Sequence, residues 1–114
     1  MRVYDLAIKL APDCFEDAQA LVANPITEKI AGQLYAAVGS ISVNIAEGYS
    51  RSSGKSRALI FEIALGSVRE SMRWYKSSEP ILGEEIVTDR RDRLEEMRRL
   101  LLTIIPRERG KTMK

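Results

Sequence analysis

The chain has 114 residues, 45% apolar and 30% charged, with a net charge of +2, which suits one domain able to bury its own core. Histidine is absent and Cys14 is the only cysteine, so an intramolecular disulfide, a cysteine–histidine zinc site and a histidine general base are all excluded. No apolar run approaches the ~18 residues of a membrane span, and "MRVYDLAIKL" lacks a signal-peptide core, so a cytoplasmic location with no membrane partner is expected. The charge is uneven: residues 1–50 carry three Lys/Arg against six Asp/Glu, a net of −3, and residues 51–114 carry fifteen against ten, a net of +5.

Taken in chain order, the first periodic segment sets Val3, Ala7, Leu10, Cys14, Ala18 and Leu21 at helical spacings. It predicts a helix near 3–23, kinked or restarted at Pro12, where a backbone donor is lost. Asn24-Pro25 marks a turn. The second segment, near 26–48, runs Ile26, Ile30, Leu34, Val38, Ile41 and Ile45, with Gly48 placed to end it. The alternation of Ile41, Val43 and Ile45 resembles a strand, but it is the tail of that helical stripe.

The third helix, near 54–79, starts after an N-cap at Ser53. It carries Ile60, Ala64, Val68, Met72 and Tyr75, widened by Phe61 and Leu65, and should end around Glu79-Pro80. The fourth, near 84–105, follows Gly83, turns Leu94, Met97, Leu101 and Ile104 inward and is stopped by Pro106. Residues 1–106 thus read as an all-α, up-down-up-down four-helix bundle. Residues 107–114, "RERGKTMK", read as a loose, polar, basic tail.

"GYSRSSGKS" at 48–56 has the look of a phosphate-binding loop. That motif needs four residues between its glycines and a strand before it, whereas five separate Gly48 from Gly54 and a helix precedes them. The match is accidental. Glu47, Glu62 and Glu70 could ligate a metal, but the Glu-x-x-His pairs of metal-holding bundles are missing, and solvated carboxylates are the simpler reading. Ser40, Ser53 and Ser67 have no base to activate them, and the nearness of Ser53 to Lys55 is a coincidence. No catalytic residue, cofactor or metal site is assigned, and no enzyme activity is expected.

A polar seam remains. Ser40, Asn44 and Glu47 lie beside the second helix's apolar stripe and lead into Gly48, while Gly66, Ser67 and Glu70 form a similar small and polar patch on the third helix. Close helix–helix approach with mutually satisfied polar groups accounts for them; a ligand or partner groove is the alternative. These residues also carry a resemblance. Gln33, Leu34, Ala37, Ser40, Ile41, Asn44, Ile45, Ala46, Glu47, Gly48, Tyr49, Arg51 and Ser53, followed by Ile63, Ala64, Gly66, Ser67 and Glu70, resemble the signature of the bacterial bundle family encoded within intervening sequences of 23S ribosomal RNA. Ser42 stands where the family has proline, Ser56-Arg57 where it has Glu-Phe, and Tyr35 and Ala36 where basic residues are common.

The resemblance implies a non-enzymatic bundle assembled as a homo-oligomeric ring, often of five subunits. Its fold is similar to the accessory variability protein of diversity-generating retroelements, which binds nucleic acid and works with a reverse transcriptase. A nucleic-acid-associated accessory protein is therefore expected, touching RNA or DNA through Arg51, Lys55 and Arg57, through Arg69, Arg73 and Lys76 on one face of the third helix, and through Arg90, Arg91, Arg98 and Arg99 on the fourth. The alternative is a protein-interaction scaffold, for a reverse transcriptase or another enzyme, without direct nucleic-acid contact. On either reading, the resemblance makes Ser40, Asn44, Glu47, Gly48, Gly66, Ser67 and Glu70 structural or interface positions. Met72, Trp74 and Tyr75, and Leu100, Leu101, Leu102, Ile104 and Ile105, cannot all enter one core, because successive helical residues point ~100° apart; their excess predicts subunit contacts.

Overall fold

The computed structural model describes residues 1–111, and among these it contains helices and no strands. Four long helices, α1 (Arg2–Val22), α2 (Glu28–Ser50), α3 (Gly54–Ser77) and α5 (Glu84–Arg109), enclose the core, with a single-turn α4 (Glu79–Leu82) between the last two. Cross-helix pairs fix the directions. Phe15 meets Tyr35, Ser40 meets Ser67, Arg57 meets Glu108 and Asp13 meets Arg93, so each neighbouring pair is antiparallel. Around the bundle the order is α1, α2, α3, α5, and α5 closes back on α1. The molecule measures 52 × 20 × 18 Å.

The buried stripes follow the helical period. Val3, Ala7, Leu10, Cys14 and Leu21 of α1 meet Leu34, Val38, Ile41 and Ile45 of α2, Phe61, Ala64 and Val68 of α3, and Leu94, Met97 and Leu101 of α5. Four expectations from periodicity are corrected. Ile26 lies before α2 and is 87% exposed. Pro12 does not restart α1, which runs unbroken to Val22. α2 continues past Gly48 to Ser50. Pro106 does not stop α5, which runs on to Arg109, so residues 107–109 are helical rather than a loose tail; the tail's last three residues lie outside the described chain.

The connections are short and locally made. Asn24 Oδ1 accepts from the Ile26 N–H at 2.9 Å, and the buried Thr27 hydroxyl donates to the Leu21 carbonyl at 2.6 Å. Ser53 caps α3 by accepting from the Ser56 N–H at 3.1 Å. Gly83, at φ 89°, turns the chain into α5 through a left-handed conformation that strains other residues.

Candidate nucleic-acid and assembly surfaces

The two glycines of "GYSRSSGKS" are packing residues. A Cβ on Gly48 would fall 2.5 Å from the Phe61 ring, and one on Gly54 would overlap the Glu108 backbone carbonyl. Gly48 therefore seats Phe61, whose ring meets Tyr49 edge-on at 5.6 Å, and Gly54 lets the start of α3 touch the end of α5. Only residues 51–53 separate the helices, which leaves no phosphate-cradling turn.

The α2–α3 seam closes on itself. Ser40 and Ser67 share a 2.7 Å hydrogen bond between hydroxyls. Asn44 donates to the Ser40 carbonyl at 2.8 Å and to its hydroxyl at 2.9 Å, while Ser71 donates to the Ser67 carbonyl at 2.8 Å. Glu47 pairs with Arg51 at 2.9 Å. Glu70 makes no ion pair among the described residues, and a Cβ on Gly66 would meet nothing within 4 Å. Gly66 is thus not a close-approach glycine inside this chain, and the helices meet instead at the serine pair and Gly48.

The ten candidate cations divide sharply. Arg57 donates to Glu108 at 3.0 Å and to the Arg51 carbonyl at 3.1 Å, which ties the α2–α3 turn to the end of α5. Arg90 holds Asp17 by two hydrogen bonds at 2.8 and 3.3 Å and Asp89 by a third at 2.6 Å. Arg98 forks onto Glu95 at 2.7 and 2.8 Å, and Arg99 reaches the same carboxylate at 3.3 Å. Burial would raise the Glu108 carboxyl, but hydrogen bonds from Lys111 and Arg57 outweigh it and hold the group below its usual value. The Arg98 fork is the chief reason that Glu95 is lowered to about 2.

What remains lies on α3. Lys55, Arg69 and Arg73 are exposed and make no ion pair among the described residues; Lys76 is exposed and touches only Glu79, at 3.2 Å. Arg69 shares a shallow groove with Leu102, Pro106 and Arg109 of α5, and Lys76 shares another with Thr88 and Arg91. The Arg91 Nε is buried without a hydrogen-bond partner among the described residues. The α3–α5 side thus presents a row of cations interrupted by Glu62, Glu79, Glu84 and Asp92.

On the opposite side, the middle of α2 is uncharged. Between Lys29 and Glu47, α2 has no charged residue, and its outer face shows Gly32, Tyr35, Ala36, Gly39 and Val43. Exposed Ile8, Phe15 and Val22 of α1 flank it on one side, and exposed Leu59 and Ile63 of α3 on the other. Between α1 and α2 lies a depression of about 240 Å³ lined by Phe15, Ala18, Gln19, Val22, Ala31, Gly32 and Tyr35. This corrects the source of the apolar excess. Tyr75, Leu101 and Ile105 are buried, Met72, Trp74, Leu100 and Ile104 pack against the core, and in that group Leu102 alone is exposed. A bundle helix touched from two sides buries a wide stripe, so adjacent residues can both pack inward.

Sequence reasoning also missed a buried network. Asp17, 4% exposed, accepts from the Tyr75 hydroxyl at 2.6 Å and from Arg90. Burial, and then the Asp17 hydrogen bond, push the Tyr75 hydroxyl far up; burial pushes the neighbouring Cys14 thiol up to about 11. The signal was present, since Asp17 falls on the α1 stripe between Cys14 and Leu21.

These features define a small all-α bundle. The chain belongs to the 23S rRNA-intervening sequence protein family, whose model matches residues 1–103. The bundle is similar to the crystal structure of a Bacteroides thetaiotaomicron protein of unknown function from the S23 ribosomal protein family, with a TM-score of 0.84. At 22% identity, over 90% of this chain and 97% of that one, the likeness shows a shared fold. No curated protein matches. Neither similarity indicates an enzymatic activity, and no helix among the described residues is long and apolar enough to cross a membrane.

Proposed function

We propose that this chain is a non-enzymatic, self-assembling bundle that presents repeated basic surfaces to nucleic acid. The observation that carries the reading is the division of its surface: the outer face of α2 carries no charge between Lys29 and Glu47 and is flanked by exposed Ile8, Phe15 and Val22, and the α3–α5 side bears Lys55, Arg69, Arg73 and Lys76. An exposed apolar face of this width suits burial against another protein surface. A ring of copies, five being the number the family resemblance implies, would repeat the α3 stripe once per subunit, so weak phosphate contacts would sum. The stripe offers point charges and few aromatic partners, so contact falls on the phosphate backbone of RNA or DNA with little reading of bases.

Labelled RNA and duplex DNA titrated at low and moderate salt test this. The expected result is binding that weakens steeply with added salt, because released counterions drive it. Exchanging Arg69, Arg73 and Lys76 together for glutamate should abolish it while the oligomer mass stays unchanged. Absence of any shift at low salt contradicts nucleic-acid binding. The reading that then stands is a protein-interaction scaffold, which the loss of Arg57, Arg90 and Arg98 to intramolecular pairs favours.

A further inference from the structure

The apolar side is two surfaces of unequal shape, with Glu16 at the edge of one and Lys55 and Glu62 beside the other. Between α1 and α2 the surface is a hollow, floored by Ala18, Ala31 and Gly32 and walled by Phe15 and Tyr35, which hold each other edge-on at 5.6 Å. Gly32 leaves the hollow open, since a Cβ there would meet nothing within 4 Å. Beyond α2 the surface is a ridge: Leu59 and Ile63 of α3 stand 62% and 50% exposed, beside Val43 at 66%. The hollow holds several times the ~30 Å³ share of one water, room for a branched aliphatic side chain.

We infer that the occupant of the α1–α2 hollow is the Leu59–Ile63 ridge of a second copy of this chain, an inference that rests on the self-assembly proposed above. Charge complementarity selects the partner. A face that carries no charge across the middle of α2 would strand any ion set against it, because a buried charge without a partner is costly. The α3–α5 and α5–α1 sides of another copy set many charges against that face and fit it poorly, whereas the Leu59–Ile63 ridge is apolar, its nearest charges being Lys55 one turn before Leu59 and Glu62 beside Ile63. Economy of burial selects the geometry. A two-fold contact of hollow on hollow would leave the ridge in water, and ridge on ridge would leave the hollow. Hollow on ridge covers both with one repeated contact.

That contact is head-to-tail, and hollow and ridge lie on adjacent sides of a four-cornered bundle. Each added copy is therefore turned by a fixed angle from the last, which gives a closed ring when the turns sum to a full circle and an open filament otherwise. Interfaces of this kind place small residues where helices approach and aliphatic knobs where they interlock; Gly32 and Gly39 supply the first and Leu59 and Ile63 the second.

Cysteine pairs test the geometry, because the native Cys14 is fully buried and stays unlabelled in the folded chain. Three variants are treated with a short bis-maleimide at micromolar concentration: Gly32→Cys, Ile63→Cys, and the two combined. The expected result is a ladder of covalent oligomers from the double variant, with each single variant remaining a single band. A mixture of the two single variants should give dimers that contain one chain of each. Strong dimers from either single variant show a two-fold contact and overturn the inference while self-assembly stands. An oligomeric mass with no cross-link at all places the contact elsewhere and also overturns it. A monomeric mass removes the self-assembly reading itself, and this inference with it.

Discussion

Asp17 is a carboxylate in the core, held by the Tyr75 hydroxyl and the Arg90 guanidinium. Transfer of a charge from water is affordable only with partners in place, so removing one partner costs more than the bond itself contributes. Arg90→Ala should therefore lower the unfolding free energy by about 3–5 kcal/mol, read as a reduced urea midpoint with an unchanged slope. Tyr75→Phe, which removes one hydroxyl from the same carboxylate, should cost about 1–3 kcal/mol. An Arg90→Ala loss below about 1 kcal/mol, the scale of an exposed pair, would show that Arg90 is a surface cation after all and would return it to the nucleic-acid candidates. Asp17 sits in register with Cys14 and Leu21, a signal that the stripe drawn through Ala18 passed over. Its partners are 58 and 73 residues away, and no local pattern shows them.

At the scale of elements, the long helices were legible because each carries an apolar stripe of period 3.6, and a stripe needs no knowledge of its neighbours. Their ends were not. Pro106 lacks only a single donor to the preceding turn, while the turn that follows is fastened by Glu108 to Arg57 and Lys111 and by Arg109 to Glu62. The two tertiary pairs, Arg57–Glu108 and Glu62–Arg109, carry α5 through a residue that stops isolated helices. The α1–α5 seam is likewise joined by charge, through Arg2–Glu96, Asp13–Arg93 and Asp17–Arg90. Acid should loosen the bundle where cationic partners hold carboxyls below their usual values. The sign follows from the carboxylates whose folded pKa is depressed: Asp89, Glu95 and Glu108. Each adds stability that is present above its unfolded pKa and lost as pH falls through its folded one. For Glu95 that window runs from 4.5 down to about 2. Urea unfolding followed by circular dichroism should give a stability that is flat near neutrality and falls across this window. Glu108→Gln should flatten part of the fall. A stability that rises with acid would contradict the ion-pair account of the helix ends.

At the scale of the whole molecule, the bundle is amphipathic around its girth, uncharged along the middle of α2 and the flank of α1 that meets it, and cationic along α3 where it faces α5. No single helix announces this. The stripes say which residues turn inward, but whether Ile8, Phe15, Val43 and Ile63, each off its stripe, lie together depends on how the helices are ordered in space. The sequence placed the surplus apolar surface on α3 and α5, where a wide buried stripe absorbs it, and missed the side where it gathers. The family resemblance rested on α2 and α3, and the seam it marked, Ser40 with Asn44 and Ser67, proves to be an internal fastening between those helices. Self-assembly through the apolar side is the central claim, since both the repeated basic stripe and the head-to-tail contact depend on it. Light scattering coupled to size exclusion at micromolar concentration tests it most directly. The account predicts a mass that is a multiple of the 12.8 kDa chain, five-fold for the proposed ring, and a shift toward monomer with helicity retained in Val43→Asp, at a position already 66% exposed. A wild-type mass of 12.8 kDa would contradict it.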